Sequence, residues 1–489
     1  MRPDTTSPAD PSPDHLRAAA MALPALALSA VLLYFGTGLH PVPWLTWLAP
    51  LPVLLLAPRV PAVLAAVTAL VAWSIGGLNL WTLSRDRLEM PLPAALLTLL
   101  LPAALAALAV LLFRALVRQG RPILAATAVP AVWVSAEYLV ATLTPNGAVW
   151  NLAFTQSDVL PVIQLAALTG GWGITFLLMG LPAALAASDR RRWRVGVGAL
   201  VLVALVIGLG AVRLGLAHPH GPERTVALLA SRQQGDWAPL DTPRGRERLD
   251  DMLARLRALP PGTDVAVLPE GGSVATSATL PLFTGPLAAL ARDRHMDIVA
   301  GVIVTDADHN AAMVFPATGG EPSTYLKQHM VPGLEPYTPG DQLLLLPGAG
   351  VAICKDLDFP ELAREYRRRG AELMYLPAWD FDLDGWQHAR TAVIRGVENG
   401  FWIVRSAADG NLTVSDPYGR VLAETGTTGR ALTTLTATVR TGGTSTFFTY
   451  GGDWFAWLCL ALTVLLSVTV RRGLGSGAAQ EVAPISFLS

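Results

Sequence analysis

Through its first 217 residues the chain is written in long apolar runs, broken by short polar or proline-bearing turns. A run of about 20 apolar residues matches the hydrocarbon thickness of a bilayer. Segments 18–37, 43–58, 60–82, 91–113, 122–142, 160–187 and 194–216 each read as a span, and an eighth follows at 452–470. The second is short and proline-rich, and the sixth carries Gly170, Gly171 and Gly173, so both are candidates for broken or re-entrant helices. Between the seventh and eighth runs the period changes to short buried-looking strands alternating with amphipathic helices. Strands are predicted at 225–231, 264–270, 297–304, 311–317, 324–330, 350–356, 372–378, 401–407 and 431–439, with a hairpin over 411–422. Helices are predicted near 244–258, 284–294, 360–369 and 385–398. This alternation describes a single α/β domain with helices covering its sheet faces.

Composition sharpens the picture. The chain is 52% hydrophobic and 15% charged, with a mean hydropathy of +0.44, which excludes an ordinary soluble protein of this length. The first run follows a polar tail and is closely followed by more spans, so it does not read as a cleaved leader. Arginine sets the orientation. With the N-terminus inside, the cytoplasmic segments carry Arg2, Arg17, Arg59, Arg114, Arg118, Arg121, Arg190, Arg191, Arg192, Arg194, Arg471 and Arg472, against Arg85 and Arg87 in the short outer loops. The predicted organisation is therefore a disordered cytoplasmic tail (1–17), a seven-helix membrane domain (18–217), an extracytoplasmic α/β domain (218–451), a final span (452–471) and a second cytoplasmic tail (472–489). A net charge of −1 argues against a nucleic-acid partner.

Two residue types are nearly absent. Cysteine occurs only at Cys354 and Cys459, and lysine only at Lys327 and Lys355. Cys459 lies in the last span, so Cys354 is predicted to be a free thiol outside the membrane. Glu270 ends one predicted strand, Lys327 lies in another, and Cys354 stops the apolar run GVAIC. Strand ends of an α/β sheet are natural places to build a site. Taken singly, each residue is commonplace: a solvated glutamate, an edge lysine, a small buried cysteine. Together they suit one mechanism, in which a carboxylate takes the thiol proton, the thiolate attacks a carbonyl and the ammonium stabilises the oxyanion. His329 and His388 offer a Cys–His pair instead, without a protease-like local sequence.

The order Glu270, Lys327, Cys354 on such a domain resembles the nitrilase, or carbon–nitrogen hydrolase, superfamily, with LPE and ICKDLDFPELAR as its glutamate and cysteine segments. With the spans, the resemblance extends over nearly the whole chain to the apolipoprotein N-acyltransferase family. It is carried by residues 151–178, LKQHMVPGLEPYTPG (326–340) and residues 387–424. It implies an αββα sandwich in a bacterial inner membrane and a ping-pong transfer needing no cofactor. A phospholipid is the implied acyl donor, Cys354 the thioester carrier, and the N-terminal amine of a diacylglyceryl-cysteine lipoprotein the acceptor. Glu270 is then the base, Lys327 the oxyanion partner and Glu335 the second glutamate, with Lys355 and Asp356 as supporting residues.

The chain departs from the family pattern in three places. Lys355 and Asp356 stand where an aromatic residue and a glutamate are usual. LPEGGS lacks the usual tryptophan before Pro-Glu. Only 27 positions separate Lys327 from Cys354, where the family inserts a longer hydrophobic arm. Lys355 is expected either to point at the thiol, favouring the thiolate, or to lie outward as a surface charge. The shorter segment keeps open a membrane-tethered amidase acting on a small or lipidic amide. A catalytically inactive membrane scaffold is a third reading, opposed by the intact triad.

Overall fold

The computed structural model describes residues 13–218, 220–231, 238–430 and 432–480. Most of the expected tail 1–17 and part of 472–489 lie outside these residues. The first helix, Pro13–Gly36, begins ahead of the expected boundary, and the last, Trp454–Gln480, runs past 471. Among the described residues, five helices are long and apolar enough to cross a membrane: Arg17–Gly36, Ala62–Leu80, Leu92–Arg118, Pro122–Leu143 and Trp193–Gly215. Among the described residues, the two runs expected to be broken are not continuous helices, and the last run holds a shorter apolar helix, Trp454–Val470. The 43–58 run is a proline-broken series of short helices, Pro43–Thr46 and Leu51–Leu56, ending in a 3-10 turn at Ala57–Arg59. It still traverses the helical half. Thr46 bonds the Gly36 carbonyl where the first helix ends, and Arg59 shares an apolar groove with Met21 near its start. The sixth run is bent by 119° between Leu160–Thr169 and Gly171–Ala186. Gly170 sits at this break with φ +67°, where an added Cβ would strike Phe448 at 2.5 Å. Only glycine fits there.

Thirteen strands build the α/β half. They are β1 (Glu223–Ser231), β2 (Val265–Val267), β3 (Ser273–Ala275), β4 (Asp297–Val304), β5 (His309–Phe315), β6 (Ser323–Leu326) and β7 (Leu344–Leu346). The rest are β8 (Ala349–Val351), β9 (Leu373–Trp379), β10 (Trp402–Ala408), β11 (Asn411–Ser415), β12 (Val421–Gly426) and β13 (Leu432–Arg440). One sheet has the order β13-β1-β2-β4-β5-β6, with β3 beside β4, and the other runs β12-β11-β10-β9-β8-β7. Val226, Leu228, Val265 and Val267 from the first meet Val351, Met374, Ile403 and Val404 from the second in one core. On the outer face of the first sheet, Leu249, Leu253 and Leu256 from helix Pro243–Arg257 and Leu287 from helix Leu280–Arg294 form a second core. Helices Pro360–Arg368 and Gly385–Asn399 belong to the second sheet. The result is the expected αββα sandwich. Strands buried on both faces explain why β4 and β9 read as unbroken apolar runs.

The predicted strand over 324–330 ends early, at Leu326. Lys327 therefore lies just past the strand, where the chain turns across the end of the sandwich.

Candidate active site

Glu270 leaves the sheet shortly after β2, and its backbone N–H reaches the Ala378 carbonyl of β9 in the opposite sheet at 3.3 Å. The loop carrying the carboxylate is thus sewn across the two layers. Glu270 is 2% exposed and Lys327 1%. The lysine Nζ donates to Glu270 Oε1 at 2.7 Å and to both Glu335 oxygens, Oε1 at 2.7 Å and Oε2 at 2.8 Å. One ammonium between two carboxylates leaves an excess negative charge in a dry place. Burial pushes the Glu270 carboxyl up to about 7, Lys327 opposes that shift, and Glu335 adds to it. The lysine is itself held well above its usual range by Glu270 and Glu335, which overcome its own burial.

Cys354 opens the 3-10 turn Cys354–Asp358 after β8, with φ +43°. A non-glycine residue in the left-handed region persists only when its surroundings over-determine it. The thiol donates to the Trp379 carbonyl at 3.4 Å and interacts electrostatically with Glu270 and Lys327. Burial first, and then Glu270, push the thiol well above its usual range, while Lys327 and Arg405 pull it down. In the resting site the cysteine keeps its proton, so a base has to take it as attack proceeds.

The structure also brings in residues that sequence reasoning missed. Asn310, on β5, donates its Nδ2 to Glu270 Oε1 at 2.7 Å and to Glu335 Oε1 at 3.0 Å. It fixes the spacing of the two carboxylates. It falls just outside the strand predicted over 311–317; only the sheet register, which pairs Asn310 with Ile303, turns it inward. Arg405 on β10 forms a buried pair with Asp380, Nη1–Oδ2 2.9 Å and Nη2–Oδ1 2.5 Å.

Both supporting residues after the cysteine are buried within the fold. Asp356 is fully buried. Its Oδ2 accepts from Tyr325 Oη (2.8 Å) and Ile353 N (3.0 Å), and its Oδ1 accepts from Gln328 N (3.1 Å), His329 N (2.9 Å) and His329 Nδ1 (3.1 Å). This carboxylate has no capacity left for substrate. Its work is to tie the cysteine turn to the lysine loop. Asp356→Ala strands several buried donors, each costing about 1–3 kcal/mol. A loss of about 3 kcal/mol or more is expected, read as a lowered thermal unfolding midpoint, with Asp356→Asn losing less.

Lys355 neither approaches the thiol nor lies on the surface. It is 7% exposed, with Nζ 3.2 Å from the Asn146 carbonyl and 3.5 Å from Asp358 Oδ2. The two histidines are engaged elsewhere. His329 bonds Asp356 and stacks on Phe359 with ring centroids 3.6 Å apart, and His388 pairs with Asp384 at 3.1 Å. No Cys–His pair forms among the described residues.

A half-buried thiol thus stands with a buried carboxylate and a buried ammonium on an αββα sandwich, and the carbon–nitrogen hydrolase family model matches residues 228–446. The helical half matches a second model, the apolipoprotein N-acyltransferase N-terminal domain, over residues 29–185. The chain belongs to the apolipoprotein N-acyltransferase family. It is 30% identical to apolipoprotein N-acyltransferase of Bradyrhizobium diazoefficiens over 67% of this chain and 70% of that one. The relative from Geobacter metallireducens is 27% identical over 91% of this chain and 94% of its own length. Among solved structures, Saccharomyces cerevisiae Nit3, a member of branch 10 of the nitrilase superfamily, aligns over 45% of this chain at 22% identity and a TM-score of 0.37.

Proposed function

We propose that this protein is a membrane N-acyltransferase that moves an acyl chain from a phospholipid to the N-terminal amine of a diacylated lipoprotein, through a thioester on Cys354. The observation that carries this reading is the Cys354 thiol set beside a buried Glu270–Lys327 pair 2.7 Å apart, built on a sandwich seated on apolar helices. As the Cys354 sulfur attacks the donor's ester carbonyl, its proton passes to Glu270. The oxyanion that forms is held by Lys327 and by the backbone N–H of Lys355, which lies in the first turn of a 3-10 helix where amides lack an intrahelical partner. Collapse breaks the ester C–O bond, and Glu270 returns its proton to the departing lysophospholipid oxygen. In the second half the acceptor amine attacks the thioester, Glu270 takes a proton from that nitrogen, and as the C–S bond breaks it returns the proton to the departing sulfur, restoring the thiol and the ionised carboxylate.

Glu335 occupies two directions of the lysine ammonium at rest, so an oxyanion reaches Lys327 by displacing one of them. Asn310 keeps the released carboxylate in place.

The arginine-rich turns support an extracytoplasmic catalytic half in the inner membrane. Gly120 and Arg192 meet at one end of the helices. The loops carrying Arg87 and Asn146 meet Asp382 and Lys355 of the sandwich at the other. Acyl transfer also gives a reason for several apolar helices, since a donor delivered from the bilayer reaches the thiol without crossing water, and the thioester is shielded.

The test is a mass-spectrometric transfer assay with phospholipid and a synthetic diacylated lipopeptide, which should gain one acyl chain. Because Glu270 serves as base only when ionised, the rate should rise with pH up to about 7 and then level. Glu270→Gln should abolish that limb along with most of the rate. Cleavage of amides by the protein, with no mass gain on the lipopeptide, is the outcome expected of the amidase reading.

A further inference from the structure

The cysteine turn is gripped on its far side by the helical half. Lys355 Nζ reaches the Asn146 carbonyl, and the Asp358 carbonyl accepts from Ala148 N at 2.7 Å. Gln387 Nε2 secures the next stretch through the Val149 carbonyl at 2.9 Å. A second route begins at the Leu357 carbonyl, which accepts from Arg395 Nε at 2.8 Å. Arg395 pairs with Glu398, whose Oε1 accepts from Gly171 N at 2.8 Å, at the break in the bent helix. Arg395 and Glu398 are both buried.

We infer that the connection 144–151 and the bent-helix break form a bracket that holds the nucleophile in register, and that Lys355 and Arg395 are positioning residues acting through it. Generic adhesion between two halves does not select groups in this way. Here the lysine side chain, the Leu357 carbonyl and the Asp358 carbonyl all belong to one five-residue turn, and the last carbonyls of a helix are the ones left without intrahelical partners. Asp356 grips the inner side of the same turn. Held from both sides, Cys354 keeps a left-handed backbone that a free turn would relax. The bracket is also closely fitted. Gly147 has φ +65°, and a Cβ there would lie 2.7 Å from the Asp358 carbonyl oxygen. Lys355 thereby acquires a role although it never faces the thiol. The inference rests on Cys354 being the acyl carrier.

The test uses the full chain in phospholipid nanodiscs and three variants: Lys355→Met, Lys355→Arg and Gly147→Ala. Acyl adduct formation on Cys354 is timed with phospholipid and with a water-soluble short-chain aryl ester. Alkylation of Cys354 by iodoacetamide is followed in parallel, because it reports on the turn whether or not acyl transfer occurs. The bracket predicts that Lys355→Met and Gly147→Ala slow acylation by about 10- to 100-fold with both donors. Apparent KM should stay nearly constant, and Lys355→Arg should recover most of the rate. Alkylation should quicken in the slow variants as the thiol swings off Trp379. Wild-type acylation and alkylation in both variants overturns the bracket. So does a raised KM for phospholipid alone in Lys355→Met, which would mark a headgroup contact. Absence of any adduct in the unaltered protein strikes the acyl-carrier reading instead, and the alkylation rates still decide the bracket.

Discussion

Cys354→Ala, incubated with phospholipid, is expected to carry no acyl adduct and to transfer nothing to a diacylated lipopeptide, while the unaltered protein does both. The effect should be complete, because neighbouring groups can polarise a carbonyl or move a proton but none can replace the sulfur as carrier. The other cysteine does not compensate. Cys459 is buried in the last helix, away from Glu270 and Lys327. The fold should survive, since the thiol makes one hydrogen bond, to Trp379, and alanine leaves no buried donor unpaired. Intact mass spectrometry of both proteins after exposure to lipid checks the adduct, and thermal unfolding checks the fold.

Lys327→Met is expected to lower thioester formation by at least about 100-fold, the scale of losing one oxyanion donor. A second signature separates this variant from a passive deletion. Removing the ammonium leaves Glu270 and Glu335 facing each other, joined only through Asn310. A buried carboxylate facing a half-buried one without a cation costs up to about 3–5 kcal/mol unless one takes up a proton. A carboxyl whose affinity for protons is raised by folding contributes stability that is present at low pH and lost as pH rises through its folded pKa. The thermal midpoint of Lys327→Met should therefore approach that of the unaltered protein in acid and fall away from it towards neutral pH. The clamp of two glutamates on one lysine is why the substitution should reach the fold as well as the rate.

The contrast between Lys327 and Lys355 shows what the sequence could and could not reveal. Glu270, Lys327 and Cys354 were legible because each interrupts or ends an apolar run, and because strand ends converge where two sheets meet. Glu335 followed from family resemblance. Asn310 was not legible: an asparagine beside a polar turn carries no signal until strand pairing fixes which way it points. Lys355 was ambiguous for a different reason. Its partner, Asn146, lies 209 positions away in the other half of the chain, and no local pattern reports a contact across a domain boundary. The helical half shows the same division. Hydropathy located the apolar runs and the prolines and glycines flagged the two broken ones, yet the 119° bend at Gly170 and its docking on Glu398 come only from packing.

The bracket changes how the departures from the family pattern are understood. Lysine in the usual aromatic position reaches across to the helical half, and aspartate in the usual glutamate position is consumed by five hydrogen bonds to Tyr325, Ile353, Gln328 and His329. Both residues shape the turn on which the thiol is displayed.

The central claim is that Cys354 carries an acyl group from lipid to amine, and single-turnover discharge tests it most directly. The protein is loaded with phospholipid and freed of excess donor. Its acyl adduct is then followed by mass spectrometry with and without diacylated lipopeptide. The adduct is expected to be stable alone and to leave Cys354 when the lipopeptide is added, with the same acyl mass appearing on the peptide amine. Release of free fatty acid at one rate whether or not the peptide is present would contradict it.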